Sequence, residues 1–238
     1  MESIEQTRQV TDKKVIKNRV AFLEKKVPFY TPFVGIIGII LLWELICRLG
    51  VVSPLFLPAP SVIITTGWDM LINGEILSNL TASLYRIVLG YLIGSLFGII
   101  IGLILGFFKV ADAIGTPIVY SIYPIPKIAL LPLFILWLGI GELSKVTIIA
   151  LGVFFPVVIN TFSGVKNVDP LLIKAAVTFG SNRINVIRKV ILPGALPMIF
   201  AGLKLAAGTS LLLLVSAEMI AAQEGLGSMV LHYGNLMI

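Results

Sequence analysis

The sequence predicts an all-α, polytopic membrane protein, and three observations carry that prediction. Hydrophobic residues make up 58% of the 238-residue chain, charged residues only 13%, and the mean hydropathy is +1.03. Soluble domains run at about 45–50% apolar and about 25% charged. So short a chain has too little interior to hide the excess. The apolar residues also fall into long stretches. A helix rising 1.5 Å per residue needs about 20 of them to cross about 30 Å of hydrocarbon. Five spans fit the chain, with a polar tail at 1–29 and one membrane domain over 30–238.

The same composition excludes other classes. A single cysteine, Cys47, rules out a disulfide framework or a zinc ribbon, and a single histidine, His232, rules out a His-rich metal site. No cofactor or metal is expected. The net charge of +6 would suggest nucleic acid if the basic residues shared a face; they lie in separate polar segments instead.

Residues 1–29 carry Arg8, Lys13, Lys14, Lys17, Arg19, Lys25 and Lys26. This is longer than the leading region of a signal peptide and reads as a solvated tail. The first span is Thr31–Leu49. Within it Glu44 precedes Arg48 by one turn, a spacing that allows an ion pair. Residues 50–84 are punctuated by Pro54, Pro58, Pro60, Gly67 and Gly74 and contain no Lys or Arg before the next span. A short helix fits Ser61–Ile72, with Ser61 as its cap. The positive-inside rule places the tail in the cytoplasm and this loop outside.

The second span is Leu84–Phe108. Gly90, Gly94, Gly98, Gly102 and Gly106 recur in it every four residues. In water each would weaken a helix by about 0.8–1 kcal/mol relative to Ala. In lipid, small residues four apart let a second helix approach closely. The row reads as a packing face that winds about 40° around the helix per step.

The third stretch, Ala113–Ile140, is too irregular for a plain helix. Pro117, Pro124, Pro126 and Pro132 interrupt it, and Lys127 sits in its middle. Each proline removes a backbone donor and crowds the preceding turn. Broken backbone at membrane depth must lie against protein or water. Pro124, Pro126, Lys127 and Pro132 are therefore candidates for a translocation pathway, together with Glu218. Lys127 would lower the barrier to an anion, or else it marks a helix end and snorkels.

The fourth span is Ser144–Ser163, with Pro156 inside it. Residues 164–192 are net basic and form a second cytoplasmic segment. The fifth span, Leu196–Ala222, holds Lys204 near its start and Glu218 near its end. The chain then ends outside. Glu44, Lys127, Lys204 and Glu218 are the ionisable groups expected inside spans. All but Lys127 can be explained by snorkelling from a span end.

The segment 169–192 is the most informative. Asp169 is a good N-cap and Pro170 occupies the favoured first helical position. Gly180 is placed to close the helix in a left-handed cap. Ser181 or Asn182 can cap a second helix, which Pro193 ends. Ile184, Ile187 and Ile191 line one face of it, with Arg183 and Lys189 off that face. Two capped helices joined at a glycine make a docking element, and small Ala175 and Ala176 permit close approach.

These residues resemble the EAA motif of inner-membrane permeases of binding-protein-dependent ABC importers. The motif stands here as Lys174-Ala175-Ala176, then Gly180, then Val190-Ile191-Leu192-Pro193, with Lys174 in place of the usual Glu. Leu57-Pro58-Ala59-Pro60-Ser61, Ser83-Leu84-Tyr85-Arg86, Pro124 to Leu133, Trp137 to Glu142, Glu218 and Gly225-Leu226-Gly227 resemble the branch importing sulfonates, taurine, nitrate and bicarbonate. The resemblance implies a type I importer permease bundle with a sixth span beyond this chain's five, so that the chain looks C-terminally incomplete or lacks that helix. It implies ATPase coupling through Lys174, Ala175, Ala176, Gly180, Arg183 and Pro193. It implies two cytoplasmic ATPase subunits, a second permease (a homodimer partner) and an extracytoplasmic substrate-binding protein. The chain has no G-x-x-x-x-G-K-[ST] loop, so ATP hydrolysis belongs to the partners and the chain is not itself an enzyme. The competing class is a self-sufficient secondary transporter or channel working through intramembrane charges. A membrane enzyme is a third class, disfavoured because no Ser–His–Asp set is present.

Overall fold

The computed structural model describes residues 28–236. The tail expected at 1–29 lies outside the described residues except for Pro28 and Phe29. The described residues fall into two compact units, divided between Gly67 and Trp68, and each is described by itself.

In the first unit, helix α1 (Thr31–Arg48) is 18 residues long, about 27 Å at the usual rise, with apolar side chains exposed along it. The Glu44–Arg48 pair forms, with Arg48 Nε donating to Glu44 Oε1 at 2.6 Å. Glu44 also accepts from the Ser61 backbone N–H at 3.0 Å and from its hydroxyl at 2.8 Å. The helix expected at Ser61–Ile72 starts at Pro60 and is labelled α2 (Pro60–Ile72). Ser61 is therefore inside the first turn and is not its cap. The orphan N–H is satisfied by a carboxylate from the preceding helix, which also suits the positive end of the helix dipole.

The second unit is built around three long helices. α3 is Glu75–Phe107, 33 residues, and starts at Glu75 instead of Leu84. Its polar first turns are helical because neighbouring chain satisfies them: Asn79 and Ser83 accept from the backbone of Gly225 and Leu226. α4 (Lys109–Ile122) meets a 3-10 turn at Lys127–Leu130 and α5 (Leu131–Leu138) at a bend of 88°. α6 (Glu142–Lys166) is the most enclosed helix and packs between α3 and α9 (Leu192–Ala221). α7 (Pro170–Thr178) and α8 (Arg183–Val186) precede α9, and α10 (Leu226–Leu236) follows it. The core comprises Leu131, Ile148, Ile149, Val153, Val157, Ala206, Leu214 and Ala217. Among the described residues three helices are long and apolar enough to cross a membrane, or four if the bent pair is one span.

Pro193 does not end the second helix of the 169–192 segment. α8 runs through a π-helical turn, Ile187–Ile191, into α9, making one helix over Arg183–Ala221. A proline leaves the carbonyl four residues back without its N–H partner and crowds it. The wider π turn, placed immediately before Pro193, takes up that misfit without a break.

The glycine row meets α6 along its whole length. A Cβ added at Gly90 would lie 2.8 Å from Ile149 Cβ, and at Gly94 2.4 Å from the Ala150 carbonyl oxygen. At Gly98 it would lie 2.8 Å from Val157 Cβ, at Gly102 2.6 Å from Thr161 Cβ, and at Gly106 2.7 Å from Val165 Cβ. The opposing residues also recur every four, so two drifting rows follow each other around a shared crossing. Gly98→Leu should therefore force α3 off α6, since Val157 and the Phe154 carbonyl occupy the space. We expect loss of most properly assembled protein, read as yield of monodisperse protein from membranes. Gly35→Leu, where a Cβ meets nothing within 4 Å, should be near neutral. Equal yields for the two would refute the packing role.

Candidate functional site

The segment 169–192 is capped by its own sequence at the start of each of its two helices. Asp169 accepts from Leu171 N–H at 2.8 Å, and Asn182 accepts from Asn185 N–H at 2.8 Å. Thus Asn182, and not Ser181, caps the second helix. Gly180 has φ +77°, and no atom lies within 4 Å of a Cβ built there. The Ser181 N–H bonds the Ala176 carbonyl and the Gly180 N–H bonds the Val177 carbonyl, the paired bonds of a Schellman cap. The turn is thus fixed by backbone bonds and one left-handed glycine. Lys174, Ala175, Arg183 and Pro193 are exposed, and Ala176 is half-buried. Leu171, Leu172, Val177 and Phe179 expose apolar surface, Phe179 to 89%. A rigid turn that presents apolar side chains in a polar segment suits a protein partner.

A buried ion cluster joins the other end of the long helices. Arg86 of α3 is 3% exposed. Its Nη1 donates to Glu218 Oε1 of α9 and to the Glu224 carbonyl, each at 2.6 Å. Its Nε and Nη2 grip Glu142 of α6 in a two-point pair at 2.6 and 2.8 Å. Lys145 adds a bond to Glu142 at 3.0 Å. Glu218 is wholly buried and also accepts from the Ser83 hydroxyl and the Gly227 N–H. Two cations thus face two carboxylates, and every oxygen of Glu218 has a donor. Gly225, at φ +130°, passes so close that a Cβ there would lie 2.5 Å from Glu218 Cδ.

Glu218 is therefore no snorkelling residue at a span end, nor does it pair with Lys127. Lys127 sits at the 88° bend and donates to the carbonyls of Ile122, Tyr123 and Ile125, the last at 2.9 Å. Its ammonium lies 4.6 Å from the Phe155 ring centroid. It closes the end of α4, where three carbonyls lack helical partners. Pro124, Pro126 and Pro132 are exposed around that bend. Sequence reasoning misses Arg86 and Lys145 as buried charges and the half-exposed Glu142 as their shared partner. The signal was their position: each opens an apolar stretch, within reach of Glu218 once the helices are paired.

A bundle of long apolar helices, with a preorganised turn between two of them, defines a multi-pass membrane protein. Residues 94–236 match the family described as binding-protein-dependent transport system inner membrane component. The chain is 42% identical over 193 residues to the putative aliphatic sulfonates transport permease protein SsuC of Bacillus subtilis (strain 168), covering 81% of this chain and 70% of that protein. It is 37% identical over 211 residues to the protein of the same name from Escherichia coli (strain K12), covering 89% and 79%. It is 39% identical over 210 residues to the taurine transport system permease protein TauC of the same organism, covering 86% and 76%. The chain belongs to this family and is the membrane-embedded permease subunit of an ABC importer. Its family sets it in the inner membrane, working with an ATPase and a substrate-binding protein.

Proposed function

We propose that the chain forms the pathway for an aliphatic sulfonate or taurine, paired with a second copy of itself and driven by two cytoplasmic ATPases. The supporting observation is the 37–42% identity to three permeases named for aliphatic sulfonates or taurine. The test is ATP-dependent uptake of taurine and ethanesulfonate into proteoliposomes holding permease, ATPase and binding protein. Nitrate and bicarbonate serve as competitors. Uptake of nitrate or bicarbonate with no sulfonate uptake would overturn the substrate.

The proposed orientation has the N-terminal tail and residues 164–192 in the cytoplasm and the 50–74 loop outside, by the bias of Lys and Arg. The ATPases would dock at Lys174, Ala175, Ala176 and Gly180, with Arg183 alongside. ATP would close the ATPase pair and displace this turn. The unbroken helix from Arg183 carries such a displacement to Glu218, about 52 Å away at helical rise. The bend at Pro124–Pro126 and the nearby Pro132 would border the pathway, since broken backbone needs protein or water beside it. ATP shifts the inward and outward states only as far as it binds them differently. In a Cys47→Ser background, Thr178→Cys should react with an impermeant maleimide in inside-out vesicles and stay unlabelled in intact cells. Labelling in intact cells would reverse the topology.

A further inference from the structure

Lys204 lies near the middle of the bundle. Tyr91, the midpoint of α3, donates its hydroxyl to the Leu203 carbonyl at 2.9 Å. Gly202 packs against Asn160 and the Pro156 carbonyl, close to the midpoint of α6. Residue 204 is thus about 14 Å from the Lys166 end of α6 and about 22 Å from its Glu142 end by helical rise, both farther than a four-carbon stem can snorkel. Yet Lys204 is exposed, and it has no hydrogen bond or ion pair among the described residues. Beside it on the same face, Ala201, Ala207 and Gly208 are exposed, and a Cβ at Gly208 would meet nothing within 4 Å.

Every other charge in the bundle's interior is accounted for. Arg86, Lys145, Glu142 and Glu218 neutralise one another, and Lys127 is spent on three carbonyls. An unpaired ammonium at this depth is too costly against lipid and belongs on water or a counter-charge. Ala201, Ala207 and Gly208 leave space for either beside the ammonium, between the exposed Phe200 and Leu211 on the same face.

We propose that Lys204 lines a water-filled conduit closed by the second permease subunit, and that its free charge there draws in the anionic solute. The anion half of this proposal rests on the substrate reading above; the conduit half does not. Fixed cationic side chains select anions in pores.

The test uses the assembled transporter. In a Cys47→Ser background, Lys204→Cys should react with 2-sulfonatoethyl methanethiosulfonate, a charged reagent excluded from lipid. No reaction from either side, with or without ATP, would overturn the conduit. Lys204→Met should lower kcat/KM for ethanesulfonate uptake by at least about tenfold, the scale of charge focusing in a cleft, while Lys204→Arg retains most of it. Aminoethylation of the Cys variant should restore uptake, and sulfonatoethylation should not. Lys204→Met at wild-type uptake would overturn the role of the charge, and rescue by aminoethylation would show that a poor variant has folded. If the wild type takes up no sulfonate, the substrate reading falls, and labelling at 204 still decides the conduit.

Discussion

Arg86→Met should remove most of the folded permease from the membrane. The guanidinium is 3% exposed and serves Glu218, Glu142 and the Glu224 carbonyl at once. Methionine fills much the same volume but leaves Glu218 buried with no counter-charge. Breaking one side of a buried pair costs about 3–5 kcal/mol, a large fraction of the 5–15 kcal/mol that holds a typical domain together. Glu142 suffers less, because its side chain is half exposed and keeps Lys145. The discriminating variant is Arg86→Met with Glu218→Gln. A neutral amide can still accept from the Ser83 hydroxyl and the Gly227 N–H, so the double variant should recover much of the lost yield and melting temperature. Glu218→Gln alone should cost less than Arg86→Met, because Arg86 retains Glu142. If Arg86→Met melts with the wild type, the cluster holds nothing together.

The all-helical membrane class, the broken third stretch and the capped turn at 169–182 were legible in the sequence because each is written locally, whereas of the five spans expected three helices are long and apolar enough among the described residues, or four with the bent pair. Hydropathy marks the spans, prolines mark the break, and Asp169, Asn182 and Gly180 carry their caps within three or four residues. One helix boundary turns on a distant partner and another on a local π turn that composition does not announce. Residues 75–83 look like loop, yet Asn79 and Ser83 are held by a turn near residue 225. Pro193 looks like a stop, yet the π turn before it absorbs the misfit. Glu218 drew attention as a lone carboxylate in a span, but its meaning depended on Arg86, 132 positions away. Lys204 was set near a span start, where snorkelling would explain it. Tyr91 and Gly202 set it against the middle parts of α3 and α6, through contacts that no local pattern records.

Ala175→Glu and Gly180→Leu should leave the permease folded while cutting ligand-stimulated ATP hydrolysis and uptake by at least about tenfold, the equivalent of 1.4 kcal/mol of docking energy. Ala175 is exposed on α7, so glutamate there disturbs no packing within the chain. A bulky carboxylate does obstruct close approach, and an interfacial charge left unpaired costs about 2–5 kcal/mol. At Gly180 a Cβ meets nothing within 4 Å, so the substitution acts through the backbone and not through crowding at the Cβ. It must adopt φ near +77°, and a residue with a Cβ pays about 1–2 kcal/mol for that conformation. The turn would relax and re-aim α8, which is continuous with α9 and so with the pathway. Lys174→Glu restores the residue usual at the head of the motif and should be tolerated, because it changes an exposed charge without filling the gap left by Ala175 and Ala176. The measurement is ATPase rate and solute uptake in proteoliposomes, with and without loaded binding protein. Size-exclusion profiles of each variant in detergent separate uncoupling from misfolding. Full stimulation in both Ala175→Glu and Gly180→Leu would mean that the ATPase grips the permease somewhere else, and that the capped turn at 169–182 is only a connection between two helices.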